Sequence, residues 1–181
     1  MPIPRDIVLT TPRLTLRPTS PEDARRFFEI QSNWNVTRML RLAPWPPDPE
    51  VMAAWVASHA EEWAAGSAFR FAVLADGAVI GCADADDFDG EKGEIGYWFD
   101  EAAWGRGYAA EAGAAVVDFV FSRTDVRRLE AGRLAENPAS GRVLEKLGFR
   151  RTYDGVRWSR SRGAQVEYCF YRLDRPYSRA G

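Results

Sequence analysis

Glu94-Ile95-Gly96-Tyr97-Trp98-Phe99, followed after four residues by Trp104-Gly105-Arg106-Gly107-Tyr108-Ala109-Ala110-Glu111-Ala112, is the stretch that decides the fold. Its first part reads as a strand from Gly93 to Phe99, after an Asp/Gly-rich turn. Its last part opens a long Ala-rich helix, expected from about Tyr108 to Ser122. Two glycines and an arginine lie between. Such a loop lets consecutive backbone N–H groups point at one anion, because glycine tolerates the conformations needed. The helix start adds unpaired N–H donors and the positive end of a dipole. Small residues at Ala109, Ala110 and Ala112 then allow a bulky ligand to come close. Together these features describe a pyrophosphate cradle, although Gly-x-Gly alone also fits a plain turn. A dinucleotide fingerprint would need a third glycine and an acidic residue about 20 positions on, after a second strand. That arrangement does not occur.

Outward from this stretch, the order of elements is clear. Val8, Leu9, Leu14 and Leu16 make short strand-like runs, with Arg13 and Arg17 on the alternating face. Ser20-Pro21-Glu22-Asp23 predicts a helix start, with Ser20 as cap and Pro21 in the first turn. The helix carries Ala24, Phe27, Phe28 and Ile30. Residues 43–49 hold four prolines and form an extended connection. A second helix is expected from about Glu50 to Ala65, ended by Gly66. Phe69–Leu74 and Val79–Asp84 read as a hairpin across Ala75-Asp76-Gly77. Beyond the central stretch, Arg128–Leu134 reads as a strand, Ser140–Leu147 as a helix, and Phe149–Tyr153 and Val166–Leu173 as strands. This is one α/β domain with a mixed sheet.

Composition sets outer limits. A chain of 181 residues is one domain on the usual scale, long enough to bury a sizeable core. The net charge of −2 gives no basic excess for nucleic-acid binding, so no nucleic-acid partner is expected. Cys82 and Cys169 sit in apolar runs and read as buried small hydrophobes. His59 lies in an Ala/Glu-rich helical stretch and reads as a surface residue. One histidine and two isolated cysteines make no zinc spacing, so no metal site is expected. The N-terminal residues contain no long apolar run and no stretch approaches 18 apolar residues, so a cytoplasmic protein without a membrane partner is expected.

The two central segments resemble the acetyl-CoA motif of the GNAT N-acetyltransferase superfamily. Asn137-Pro138-Ala139-Ser140-Gly141-Arg142-Val143-Leu144-Glu145-Lys146-Leu147-Gly148-Phe149 resembles its second motif, which closes the cofactor groove. Thr11-Pro12-Arg13-Leu14-Thr15-Leu16-Arg17-Pro18 is similar to the first strand of the ribosomal-protein N-terminal acetyltransferase (Rim-type) branch. The resemblance spans residues 8–175, leaving 1–7 and 176–181 as terminal extensions. It implies an α/β (α+β) fold: a mixed, mostly antiparallel, twisted sheet with a splayed central strand pair, flanked by helices. One departure stands out. Trp104 occupies the first position of the phosphate loop, where most of the superfamily has Gln or Arg; the Rim-type branch often has Trp.

The resemblance implies that acetyl-CoA, as cosubstrate, lies between the strands around residues 94–99 and 128–135. The pantetheine arm would take sheet-like hydrogen bonds near Tyr97, Trp98 and Phe99. The pyrophosphate would rest on the backbone of Arg106, Gly107, Tyr108, Ala109 and Ala110, with the Arg106 side chain adding charge. Asn137 would bond the pantetheine amides or the thioester side. Arg142 would reach the adenosine phosphates, or would be a solvated helix arginine.

The reaction sets its own requirements. The amine must be neutral to attack, so a base or water chain must take a proton. Glu94 is the first candidate, against a solvated strand-start acid, and Glu167 is the second. The tetrahedral oxyanion needs a donor, which the backbone N–H near Trp98 supplies. Ser140 is the candidate donor to the departing thiolate, against a role in capping its helix. On the acceptor side, Trp34, Trp45, Trp55 and Trp63 read as lid or core packing or as a substrate cage. The run Asp84–Asp89 reads as a solvated turn or as an attractor for a cationic amine. The expected acceptor is a primary amine, first a protein N-terminus, with a free small amine (polyamine, amino acid or antibiotic) or a non-catalytic CoA sensor as alternatives. A homodimer fits the resemblance as well as a monomer does.

Overall fold

The computed structural model describes residues 3–176; residues 1–2 and 177–181, which belong to the expected terminal extensions, lie outside it. Eight strands form one sheet: β1 (Leu9–Thr10), β2 (Thr15–Pro18), β3 (Phe69–Ala75), β4 (Ala78–Asp86), β5 (Lys92–Phe99), β6 (Arg128–Leu134), β7 (Arg150–Ser159) and β8 (Ala164–Asp174). The spatial order is β1-β2-β3-β4-β5-β6-β8-β7. Every neighbouring pair is antiparallel except β5 and β6. Five helices flank the sheet: α1 (Asp23–Gln31), α2 (Trp34–Thr37), α3 (Pro49–Ala65), α4 (Tyr108–Arg123) and α5 (Pro138–Lys146).

The β5/β6 pair positions the site. It keeps only three rungs, Lys92 with Arg128, Gly93 with Leu129 and Glu94 with Glu130. Beyond them β5 stays with β4 as far as Phe99, and β6 stays with β8 as far as Leu134. The two strands part and leave a wedge in the middle of the sheet, as the resemblance implies.

Side-chain alternation gives the sheet two faces. On one, α4 buries Val116, Phe119 and Val120 against Phe69, Phe71 and Ile95. Phe71 meets Trp63 and Phe119 edge-on, and Trp63 meets Phe119 at a tilt. On the other, Phe27 of α1 and Met52 and Val56 of α3 pack on Ala72 and Cys82. Both cysteines are buried and unbridged. Ile3 and Ile7 also lie against the core, and the Trp63 indole donates to the Ile3 carbonyl.

Four expectations are corrected. His59 is buried, because it falls on the same stripe of α3 as Met52, Val56 and Trp63. Its Nδ1 lies 2.8 Å from the Thr19 hydroxyl. Burial, helped by Arg70, holds its pKa down to about 4, so the ring is neutral. Secondly, α1 begins at Asp23 rather than after Ser20. The Asp23 carboxylate takes two hydrogen bonds from Arg17 and one from the Ser20 N–H, which ties residues 20–23 into a turn. Thirdly, the first half of the acidic run is strand: β4 extends through Asp86, with Arg70 of β3 bridging Asp84 and Asp86. Finally, β7 runs on to Ser159 instead of ending at Tyr153.

Candidate active site

A groove of about 1230 Å³ runs through the wedge. This exceeds the roughly 300–1,000 Å³ of an ordinary small-molecule pocket, leaving room for two reactants. Its walls include Glu94, Tyr97, Trp98, Phe99, Gly107, Tyr108, Ala109, Ala110, Asn137, Ser140 and Arg142, so the sequence-derived candidates converge on one space. Two do not reach it: the Arg106 side chain is exposed outside the lining, and so is Glu167.

The phosphate-loop end is built largely from backbone. Gly105 and Gly107 both take left-handed conformations, with φ of 72° and 81°. Gly107 stands at the N-cap of α4, and no side chain caps that helix. Its first N–H groups are therefore available to an anion in the groove. The loop is held by a latch that sequence reading missed. Arg13 donates to the Arg106 carbonyl (2.8 Å) and to Glu111 (2.7 Å), and its guanidinium covers the Tyr108 ring. Thr11 and the Arg13 N–H also donate to Glu111. Burial works against the Glu111 charge, but these hydrogen bonds outweigh it and hold its pKa below the ordinary value. Trp104 is accounted for too: its indole N–H donates to the Phe99 carbonyl (3.0 Å), pinning the loop to the end of β5.

In the middle of the groove, β5 presents different groups to its two faces. Tyr97 points toward α5, where its hydroxyl lies 3.0 Å from Ser140 Oγ. Burial pushes the Tyr97 phenol up to about 12, so it stays protonated and able to donate. Ser140 is not the cap of α5. That role belongs to Asn137, whose side-chain oxygen accepts from the Ser140 N–H, leaving its amide NH2 free to donate. Trp98 turns to the α1/α3 side and meets Phe27 edge-on at 4.8 Å.

A family model for the acetyltransferase (GNAT) domain matches residues 13–150. The chain belongs to the GNAT N-acetyltransferase family. An uncharacterized N-acetyltransferase p20 of Bacillus licheniformis is 30% identical over 177 residues, covering 94% of this chain and 98% of that protein. Among solved structures, RimL, a ribosomal L7/L12 alpha-N-protein acetyltransferase in complex with coenzyme A, superposes with a TM-score of 0.82. That match has 18% identity over 93% of this chain and 98% of RimL. RimJ of Mycobacterium smegmatis, in complex with CoA-disulfide, gives 0.79 at 23% identity, covering 95% and 89% of the two chains. At these identities the likeness to RimL and RimJ is one of fold.

The other end of this N-acetyltransferase's groove is acidic and built from side chains. Arg70 bridges Glu62 (2.8 Å), Asp84 (2.9 Å) and Asp86 (3.1 Å). Three carboxylates share one guanidinium, so burial still pushes Asp84 and Asp86 above their ordinary range despite the Arg70 charge. Glu94 stands opposite Asp86 across β4/β5. Burial, then the Asp86 charge, raise its pKa, which suits a proton acceptor better than an ordinary exposed glutamate. Tyr168 of β8 completes this wall, and its ring lies over Gly132, where a Cβ would come within 2.2 Å of it. Trp55 lines the groove, whereas Trp63 is core and Trp34 packs on Trp45. Among the described residues, no group of three or more His, Cys, Asp or Glu is gathered as a metal site would require.

Arg70 and Tyr168 carried no recognisable motif. Arg70 was legible only as a charge in an apolar strand run, a pattern that signals a buried partner.

Proposed function

We propose that this enzyme transfers an acetyl group from acetyl-CoA to the N-terminal amine of a protein. The observation that carries the cosubstrate is the parted β5/β6 pair, whose open strand edges lead to the uncapped start of α4. Glycine is called for at Gly107 by its positive φ, while a Cβ there would make only ordinary contact with the Arg13 guanidinium at 3.4 Å. The N–H groups of residues 107–110 would hold the pyrophosphate, and Asn137 and the edge of β5 would hold the pantetheine. When bound, acetyl-CoA supplies an activated acyl carbon and a thiolate leaving group.

The protein's own groups do the rest. The acidic end draws an ammonium group, and Glu94 takes its proton so that the amine can attack. A backbone N–H on the edge of β5 that β6 leaves unpaired, at Tyr97 or Phe99, would receive the developing oxyanion, since the Trp98 N–H belongs to the ladder with β4. The Ser140 hydroxyl, backed by Tyr97, donates toward the sulfur as negative charge gathers there. Holding both reactants side by side contributes as much as any one group. Acceptance of a free small amine is the second reading, favoured by the same acidic wall, which asks only for a cation.

The test is an acetyl-transfer panel read by mass spectrometry, with short peptides, polyamines, amino acids and aminoglycosides as acceptors. Acetylation of peptides at the α-amine, at rates well above the free amines, is the expected result. Preference for a free amine would transfer the assignment to the second reading.

A further inference from the structure

The half of the sheet beyond the groove carries an exposed aromatic surface that catalysis does not use. Tyr168, in the groove wall, has its ring 5.1 Å from Phe170, and Phe170 stacks on Tyr153 at 4.3 Å with the rings nearly parallel. Tyr153 is 57% exposed. The guanidinium of Arg157 lies over Phe170 at 4.4 Å. Arg150 belongs to the same face, since it pairs with Arg172, two residues from Phe170. Among the described residues, neither Arg150 nor Arg157 has a carboxylate partner, whereas Arg172 is matched by Asp174. The helix α5 lies on the opposite face, with Gly141 against Arg133 and Tyr171, and so does not cover this surface.

This surface is continuous with the groove and opposite to it in charge. The groove wall carries a surplus of carboxylates, with Glu62, Asp84 and Asp86 sharing the one guanidinium of Arg70 and Glu94 opposite Asp86; the sheet beyond offers two unmatched arginines around stacked rings. Two residues along a strand advance about 7 Å, so Phe170 begins roughly two residue lengths past Tyr168. An extended polypeptide whose amine sits at Glu94 would then bring its third and following residues over Phe170, Tyr153 and Arg157. Resting on the reading of the acceptor as a protein N-terminus, we propose that this face docks the residues following that amine and selects acceptors with acidic side chains there. Stacked aromatics supply rigid apolar area at little entropy cost, and arginine matches carboxylates in a two-pronged geometry.

The experiment compares two synthetic peptides with a common first residue, one bearing glutamates and the other lysines from the third position on. They are assayed as acceptors with wild type, Arg157→Glu and the double variant Arg150→Ala/Arg157→Ala. The readout is the ratio of kcat/KM for the glutamate over the lysine peptide; misfolding lowers both rates together and leaves the ratio intact. Wild type should favour the glutamate peptide about tenfold, mostly through KM. Arg157→Glu should reverse the preference, and the double variant should bring the ratio near one. Equal use of both peptides by wild type would overturn the inference while leaving peptide acetylation standing. An unaltered ratio in Arg157→Glu would do the same. If no peptide is acetylated but a free amine is, the N-terminal reading falls and this inference with it. Sedimentation of wild type and Arg157→Glu checks the rival occupant: a dimer that dissociates on charge reversal would give the face to a second copy of the chain.

Discussion

The two ends of the groove are made by different means. The phosphate-loop end is mostly backbone: a short loop, two left-handed glycines and the start of one helix, all within residues 104–110. The acceptor end is side chains from α3, β3, β4, β5 and β8, brought together only by the fold. A backbone cradle suits one fixed anion, such as the pyrophosphate of the proposed cosubstrate. A side-chain wall can be rebuilt one residue at a time without disturbing that cradle. The difference teaches where substrate choice is free to vary.

The comparison is most easily broken at Gly107. Gly107→Glu should abolish acetyl-CoA binding outright, since a carboxylate would enter the cradle at a positive-φ position. In a thermal melt, ligand at 100 times its Kd stabilises wild type by about 2.7 kcal/mol; the variant should show no shift. A normal shift would mean that the phosphates sit elsewhere.

Glu94→Gln should do the converse, with kcat at pH 7 falling about 10²-fold and the acetyl-CoA melting shift intact. Burial and Asp86 raise the Glu94 pKa, so wild-type activity should fall as pH drops through a value above the usual glutamate range. The variant's defect should shrink by pH 9.5, where the acceptor amine is already neutral. An equal defect at both pH values would make Glu94 structural.

At the junction of the two ends, Ser140→Ala should lower kcat about tenfold, less than the 10²–10³ of a fully enclosed oxyanion donor, because water reaches an open groove. Tyr97→Phe should cost less, and nothing further in the Ser140→Ala background, since Tyr97 acts through Ser140. Independent losses in the double variant would separate the two roles.

The smallest effect is expected at Arg13. It is half-exposed, so its ion pair with Glu111 is worth little by itself. Its loss nonetheless leaves the Glu111 charge unopposed beside the phosphates. Arg13→Ala should weaken the Kd for acetyl-CoA about threefold, and Arg13→Ala/Glu111→Gln should recover it. Calorimetry on both variants checks this.

The same contrast explains what the sequence could tell. Gly105, Gly107 and Asn137 act through local conformation, so their spacing carries their meaning. The two helices that follow them were readable for that reason, whereas the pairing of the strands around 94–99 and 128–135 came from the family resemblance. Arg70, Asp84 and Asp86 act through contacts between strands, and a charge next to a turn looks the same whether it is solvated or bridged. His59 misled because a polar residue on an Ala/Glu-rich helix has no local mark of the stripe it occupies; Thr19, 40 residues away, satisfies one of its nitrogens. The Arg13–Glu111 latch spans 98 residues and left equally little trace.

The short parallel pair also has a mechanical consequence. Strands β1–β5 form one plate and β6–β8–β7 another, hinged at the three rungs around Glu94 and Glu130. Across the groove a second joint closes the gap: the turn after β7 clasps the segment after α2, through Arg160 N–H to the Arg41 carbonyl and Ser161 to the Leu40 carbonyl. A wedge fastened at two places opens less easily than one fastened at a single end, so less of the energy of binding goes into bending the sheet and more is left for gripping the reactants.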